Sequence, residues 1–366
     1  MPYIMIRPRR YIDRVEPADT ATRHTHLGLL TLVDHLPDPN SGERTSSQQR
    51  LFEVIAEAIL AEELGFERFA VGEHHFCDYI LSNPSLVLAA IAARTTRIRL
   101  MTAVTVLPCR DPVQTAEDVA IVDTISGGRL EISVARGVSD EASRAFDVPR
   151  ERVYAVLEEK LDVLLAILRD GRIPAGSPRG GGLPVFPPPI QRPHPPVWMG
   201  GGLSAGSTDL AVDRGLPLIL PSLFRYPEDY LPMIERYRDG MRRAGLADRI
   251  RVALPSHCWV EKTSQDARAR YRPYLDQYVA FARGLRDGFG RPLDFDGLIG
   301  GPAICGSPAE VVDRIGAVNE RLGLDHHLLK VDAGGVPFET LRATLELLAS
   351  DVLPQFAPVP QVQPAA

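Results

Sequence analysis

The feature that most constrains this chain is a cadence: a short β-branched or aliphatic run, a loop and an amphipathic helix, repeated eight times. A helix that carries one strand to the next returns the chain to the same end of the sheet, so neighbouring strands run parallel. The first unit joins a strand at 27–33 to a helix at 47–64, where Leu51, Val54, Ile55, Ala58 and Ile59 recur at helical spacing before Gly65 ends the run. The second has a strand at 67–72 and a helix opened by Asn83 and Pro84; the third has a strand at 98–107 and a helix opened by Asp111 and Pro112 and closed at Gly127. The fourth strand, 130–135, leads to a helix from Pro149 whose Val153, Val156, Leu157, Leu161, Leu164, Leu165 and Leu168 form one apolar stripe. Strands at 197–199, 217–220, 251–260 and 327–332 follow, with helices at 204–214, 227–244, 265–284, 307–322 and 338–348.

Eight such units in 366 residues predict a closed (β/α)8 TIM barrel. An open doubly wound sheet is the rival, but no GxGxxG follows the first strand. Residues 171–196 hold nine prolines and five glycines, which neither a helix nor a central strand accepts. They form an excursion between the fourth helix and the fifth strand, placed where it can act as a lid. The expected organisation is an N-terminal extension at 1–25, a single barrel domain at 26–353 and a tail at 354–366.

Charge narrows the partners. Lys and Arg total 41 against 47 Asp and Glu, a net charge of −6, which argues against a nucleic-acid binder. No apolar run reaches the roughly 18 to 20 residues of a membrane helix, and the first residues lack a secretory h-region, so a soluble cytoplasmic protein is expected. Cys77, Cys109, Cys258 and Cys305 form no CxxC pair and are expected to be free thiols.

In a barrel the residues just after each strand face the active site. Glu73-His74-His75-Phe76 ends the second strand. Adjacent histidines on a strand point to opposite faces and HExxH spacing is missing, so no metal site is expected. An imidazole at the mouth suits acid–base work near neutral pH, with Glu73 as an orienting partner and the second histidine in the wall. Arg136 follows the fourth strand and Arg152 begins the next helix; each can hold a phosphate or carboxylate, or make an ordinary surface ion pair. After the fifth strand, Gly200, Gly201, Gly202, Ser204 and Ser207 lead into a helix, which makes either a phosphate cradle or a flexible turn with a serine cap. Trp198 and Phe76 can wall a planar ring or serve as plain core.

Taken in order, these segments resemble the bacterial luciferase-like flavin monooxygenases. The resemblance rests on EHHF at 73–76, SNPSLVLAAIAARTTRIRL at 82–100, VLP at 106–108, DPVQTAEDVAIVDTISGGRLEISVARG at 111–137 and GLPLIL at 215–220. It implies a barrel, often dimeric, that takes reduced FMN from a separate flavin reductase and reacts it with molecular oxygen to a C4a-peroxyflavin that oxygenates a small organic substrate. It also implies His74 as the catalytic histidine, Arg136, Arg152, Gly202, Ser204 and Ser207 around the phosphate, and a backbone contact at Val138 near the ring. A non-prolyl cis peptide at Ala103-Val104 beneath the flavin is implied as well. Ala135 stands where luciferase places a reactive cysteine, so light emission is not implied. The same superfamily holds F420-dependent hydride-transfer enzymes and non-catalytic flavin-binding partner subunits, which remain the alternatives.

Overall fold

The computed structural model describes residues 25–137, 139–177, 179–285 and 293–356. The elements are β1 (His26–Thr31), α1 (Ser47–Leu64), β2 (Arg68–Val71), α2 (Pro84–Ala92), β3 (Arg99–Thr102), β4 (Thr105–Val106) and α3 (Pro112–Ser126). Next come β5 (Leu130–Ala135), α4 (Asp140–Ala145), α5 (Val153–Asp170), β6 (Val197–Gly200), α6 (Ala205–Arg214), β7 (Leu218–Ile219) and α7 (Leu231–Arg243). The chain ends with β8 (Val252–Val260), α8 (Ser264–Gly284), α9 (Phe295–Ile299), β9 (Ile304–Gly306), α10 (Pro308–Leu322), β10 (His326–Lys330) and α11 (Phe338–Leu347).

All strand pairs are parallel, and the order β10-β1-β2-β3-β5-β6-β7-β8 closes where β8 pairs with β10. This is the expected (β/α)8 barrel. The short β4 continues the pairing with β5, and β9 pairs with the far end of β8 outside the ring. Strand alternation sorts the core: Leu27, Leu29, Phe69 and Leu100 face the helices, while Leu30, Ala70, Met101, Trp198, Ile219, Ala253 and Leu328 fill the lumen.

The helix boundaries follow their local signals. The Ser46, Asn83 and Asp111 side chains accept first-turn N–H groups, and Gly65, Gly127 and Gly171 close their helices in the left-handed region. Pro149 leads into a 3-10 turn at Arg150–Arg152 before α5 proper. Within the excursion, Arg172 bridges Pro184, and the buried Asp123 carboxylate of α3 accepts the N–H groups of Ile190 at 2.7 Å and Gln191 at 3.0 Å. The expected extension, apart from Thr25, and the tail beyond residue 356 lie outside the described residues. Among the described residues no helix is long and apolar enough to cross a membrane, and all four cysteines are free.

Charged layers close both ends of the lumen. At the amino ends of the strands Glu131 receives Arg68 at 2.7 Å, Arg99 at 2.6 Å and the Trp198 indole at 2.8 Å. Burial alone would raise that carboxyl, but Arg68 and Arg99 outweigh it and hold it well below the usual range. At the carboxyl ends Lys330, fully buried, donates to Asp34 at 2.7 Å and Asp332 at 2.6 Å. Arg50 and Thr31 complete Asp332 at 2.6 and 2.5 Å.

Glu57 of α1 lies beside this network, and neither of its oxygens has a hydrogen-bond partner among the described residues. Burial and then Asp332 raise its carboxyl to about 8. A folded-state pKa above the unfolded one means that the native state holds the proton more tightly, so this group's contribution to stability declines as pH rises from about 4.5 through about 8. Glu57→Gln is therefore expected to gain on the parent protein across that interval and to hold a constant advantage above it. Thermal melts at pH 5, 7 and 9 check this; a difference that does not vary with pH would show that Glu57 does not titrate there.

Candidate active site

A cavity of about 520 Å³ opens at the carboxyl ends of the barrel strands, within the range of cofactor and substrate sites. One end of it is built from the turn after β6. A Cβ on Gly200 would come within 2.6 Å of the Ala135 Cβ and 3.3 Å of Val104, so the backbone here lies closer than any other residue allows, whereas nothing lies within 4 Å of a Cβ on Gly202. Ser204 stands at the N-cap of α6 but its hydroxyl caps nothing; it lies 2.9 Å from the Tyr154 hydroxyl. The first-turn amides of α6 therefore have no side-chain acceptor, and they open beside Ser204 and the buried Ser207 in the cavity wall. The Arg136 guanidinium, 5.5 Å from the Tyr154 ring centroid, has no ion-pair partner among the described residues. First-turn amides, hydroxyls and a guanidinium without an ion-pair partner among the described residues are groups that could hold a phosphate.

Arg152, expected in the phosphate set, is not brought to the cavity; its guanidinium lies 3.5 Å from Glu159 on the outside. Arg152 ends the 3-10 turn ahead of α5, and the position turned toward Ser204 belongs to Tyr154 on α5, which sequence reasoning missed. Val138 lies outside the described residues.

The adjoining wall is formed by Ala103, Val104 and Ala135, and the Ala103-Val104 peptide is cis, as the resemblance implies. Next to it are Glu73, His74 and His75. Both imidazoles line the cavity rather than opposite faces, because β2 ends at Val71 and strand alternation no longer governs residues 73–76. The His74 ring packs on Tyr79 with centroids 4.3 Å apart, and the Tyr79 hydroxyl donates to Tyr278 at 2.7 Å. Burial, with the charges of His75 and Lys330, lowers His74 to about 4, so the expected titration near neutrality is corrected to an imidazole that is neutral at pH 7. Glu73 orients the other histidine: its oxygens lie 3.0 Å from His75 Nε2 and 3.5 Å from Arg110. Cys109 also lines the cavity, but burial and Glu73 push its thiol up to about 11, which leaves it unreactive.

Leu30, Leu32, Leu223 and Phe224 make the apolar side, and Arg225 stands beside them. Arg225 was also missed, although it lies where the barrel rule places functional residues, just after a strand. Trp198 sits in the amino-end layer with Glu131 and Phe76 is 65% exposed, so neither lines the cavity. No described residue of 171–196 lines it either.

The sequence profile described as "Luciferase-like monooxygenase" matches residues 25–326. The oxygenase component of the flavin-dependent trigonelline monooxygenase of Acinetobacter baylyi is 26% identical, over 86% of this chain and 93% of its own. An alkanal monooxygenase alpha chain of Photorhabdus luminescens is 25% identical over 81% of this chain and 88% of its own. The crystal structure of the monooxygenase RslO1 from Streptomyces bottropensis superposes with a TM-score of 0.77 at 25% identity, covering 91% of this chain and all of the other.

Proposed function

The chain belongs to the luciferase-like monooxygenase family and is a monooxygenase, and from that premise we propose that it is the oxygenase component of a two-component system, taking reduced FMN from a separate flavin reductase and oxygenating a small organic substrate with dioxygen. The observation that carries the reading is the phosphate seat of Arg136, Tyr154, Ser204 and Ser207 at one end of a cavity whose other walls are apolar. Bound there, reduced FMN supplies the electron pair that takes one atom of dioxygen to water while the other passes to the substrate. The chain's own residues supply the rest. Arg136 and the first turn of α6 anchor the phosphate, and the Gly200 and Gly202 backbone lets it approach. Ala103 and Val104 form the surface against which a ring is set, and Leu30, Leu32, Leu223 and Phe224 keep water away. A ring nitrogen of neutral His74 accepts a proton and, with so low a pKa, readily gives it up again. A homodimer belongs to the same reading: Phe52 on α1, Leu86 on α2, and Ile121 and Ile125 on α3 leave apolar side chains on the outside of consecutive helices.

Anaerobic titration with reduced FMN and with reduced F420, followed by oxygen, tests the cofactor. Tight binding of reduced FMN and its oxygen-dependent turnover are expected, and preference for F420 or turnover on NADPH alone would overturn the proposal. Within the same experiment Arg136→Ala is expected to weaken FMN binding by roughly 1.5 to 3 kcal/mol, the loss of a charge-assisted contact. Riboflavin, which lacks the phosphate, should bind both proteins alike; unchanged FMN affinity would remove Arg136 from the seat.

A further inference from the structure

Two guanidinium groups line the cavity, and the phosphate seat uses only one of them. Arg225 follows β7, is half-buried in the cavity wall, and makes no hydrogen bond or ion pair with any described residue. The acidic groups nearby do not answer it. Glu73 is the one carboxylate among the described lining residues and is taken by His75 and Arg110. Glu228 lies 3.5 Å from Arg321, and Asp229 is exposed and outside the cavity lining.

The segment that carries Arg225 is held on both sides. Tyr226 lies over Gly301, where a Cβ would come within 2.3 Å of the ring, and Phe224 stacks on Tyr278 with centroids 5.6 Å apart. The Ser222 hydroxyl donates to the Pro255 carbonyl and the Tyr230 hydroxyl to that of Pro221. The backbone at Arg225 is thus set before any ligand arrives, and a partly desolvated cation without a partner gains by pairing with an anion. Arg136 lies among hydroxyls and free amides, as a phosphate requires; the Tyr230 hydroxyl that interacts with Arg225 is committed to the Pro221 carbonyl, and Leu223 and Phe224 precede Arg225 in the cavity wall.

We propose that Arg225 determines specificity by pairing with the carboxylate of a substrate that has an apolar body lying along Leu223 and Phe224. The proposal rests on the monooxygenase reading of this cavity and adds the substrate class to it. Benzoate and hexanoate, each compared with its neutral amide, are suitable probes for calorimetry on the FMN-saturated protein. The carboxylates are expected to bind about tenfold or more tightly than their amides. Arg225→Ala is expected to abolish that preference, Arg225→Lys to restore part of it, and both to leave amide binding and FMN affinity within about twofold of the parent. Equal binding of acid and amide for both bodies, or a preference that survives in Arg225→Ala, overturns the proposal. So does a fall in FMN affinity in Arg225→Ala as large as that in Arg136→Ala, which would assign Arg225 to the phosphate. If the parent protein binds no FMN, the cofactor reading fails, and the same acid–amide comparison on the FMN-free protein still decides the role of Arg225.

Discussion

Replacing His74 by Asn is expected to cut product formation by roughly 10²- to 10⁴-fold with reduced FMN saturating, while flavin affinity changes little. Asparagine keeps the approximate size and a hydrogen-bonding edge but has no basic nitrogen to accept a proton during turnover. His74 lines the cavity on its ordered contact with Tyr79, so the substitution removes chemistry more than shape. The direction of its pKa shift adds a second readout. An imidazole lowered to about 4 is protonated only below that value, so the acid limb that His74 imposes on the rate lies near pH 4 rather than near 6.5. Equal activity in His74→Asn would move the proton chemistry to another group.

Lys330→Met is expected to cost about 3 to 5 kcal/mol of stability, because it leaves two buried carboxylates facing each other without their shared cation. Urea unfolding measures the loss. The double variant Lys330→Met, Asp34→Asn removes one of the stranded charges and is expected to recover part of it; no recovery would mean that packing rather than charge explains the loss. The pH dependence follows from the shifts. Lys330 is raised above its ordinary value, with the two aspartates overcoming its burial, so its contribution holds below about 10.5 and is lost as pH rises through the folded-state value. Asp332 is lowered to about 2, with Lys330 and Arg50 overcoming its burial, so its contribution holds above about 3.8 and is lost as pH falls through about 2. The network therefore stays charged across the neutral range, where its cation adds to burial and to His75 in lowering the His74 imidazole.

The barrel was legible because its signals are local. Ser46, Asn83 and Asp111 cap their own helices, Gly65 and Gly127 directly follow the first and third of these, and each apolar stripe repeats within one helix. The helix α4 escaped notice because six residues are too few to show a stripe. In the site, the glycines and serines at 200–207 and the Glu73-His74-His75 run were visible as composition at strand ends. Their electrostatics were not, since His74 owes its low pKa first to burial, then to His75 and to Lys330, a residue that is remote in sequence and comes near it only in the closed ring. Arg152 entered the phosphate set through its charge and the family resemblance, and Tyr154 was not considered because nothing in the sequence shows that it turns toward Ser204. Arg225 was passed over because one arginine in a loop carries no sequence pattern; its meaning lies in the partners it lacks.

The seam of the ring bears on how the protein is made. The first strand finds its second neighbour only in the last, and the Thr31 hydroxyl bonds to Asp332 across 301 positions of chain. At the usual 5 to 20 residues per second of synthesis, roughly 15 to 60 s separate the emergence of these two partners from the ribosome. For that interval the free edge of the first strand, with Asp34 and Arg50 beside it, waits without the cation and carboxylate that will bury them. Until β10 is made the nascent chain keeps that strand edge exposed, and the ring closes only once β10 pairs with β1 and β8.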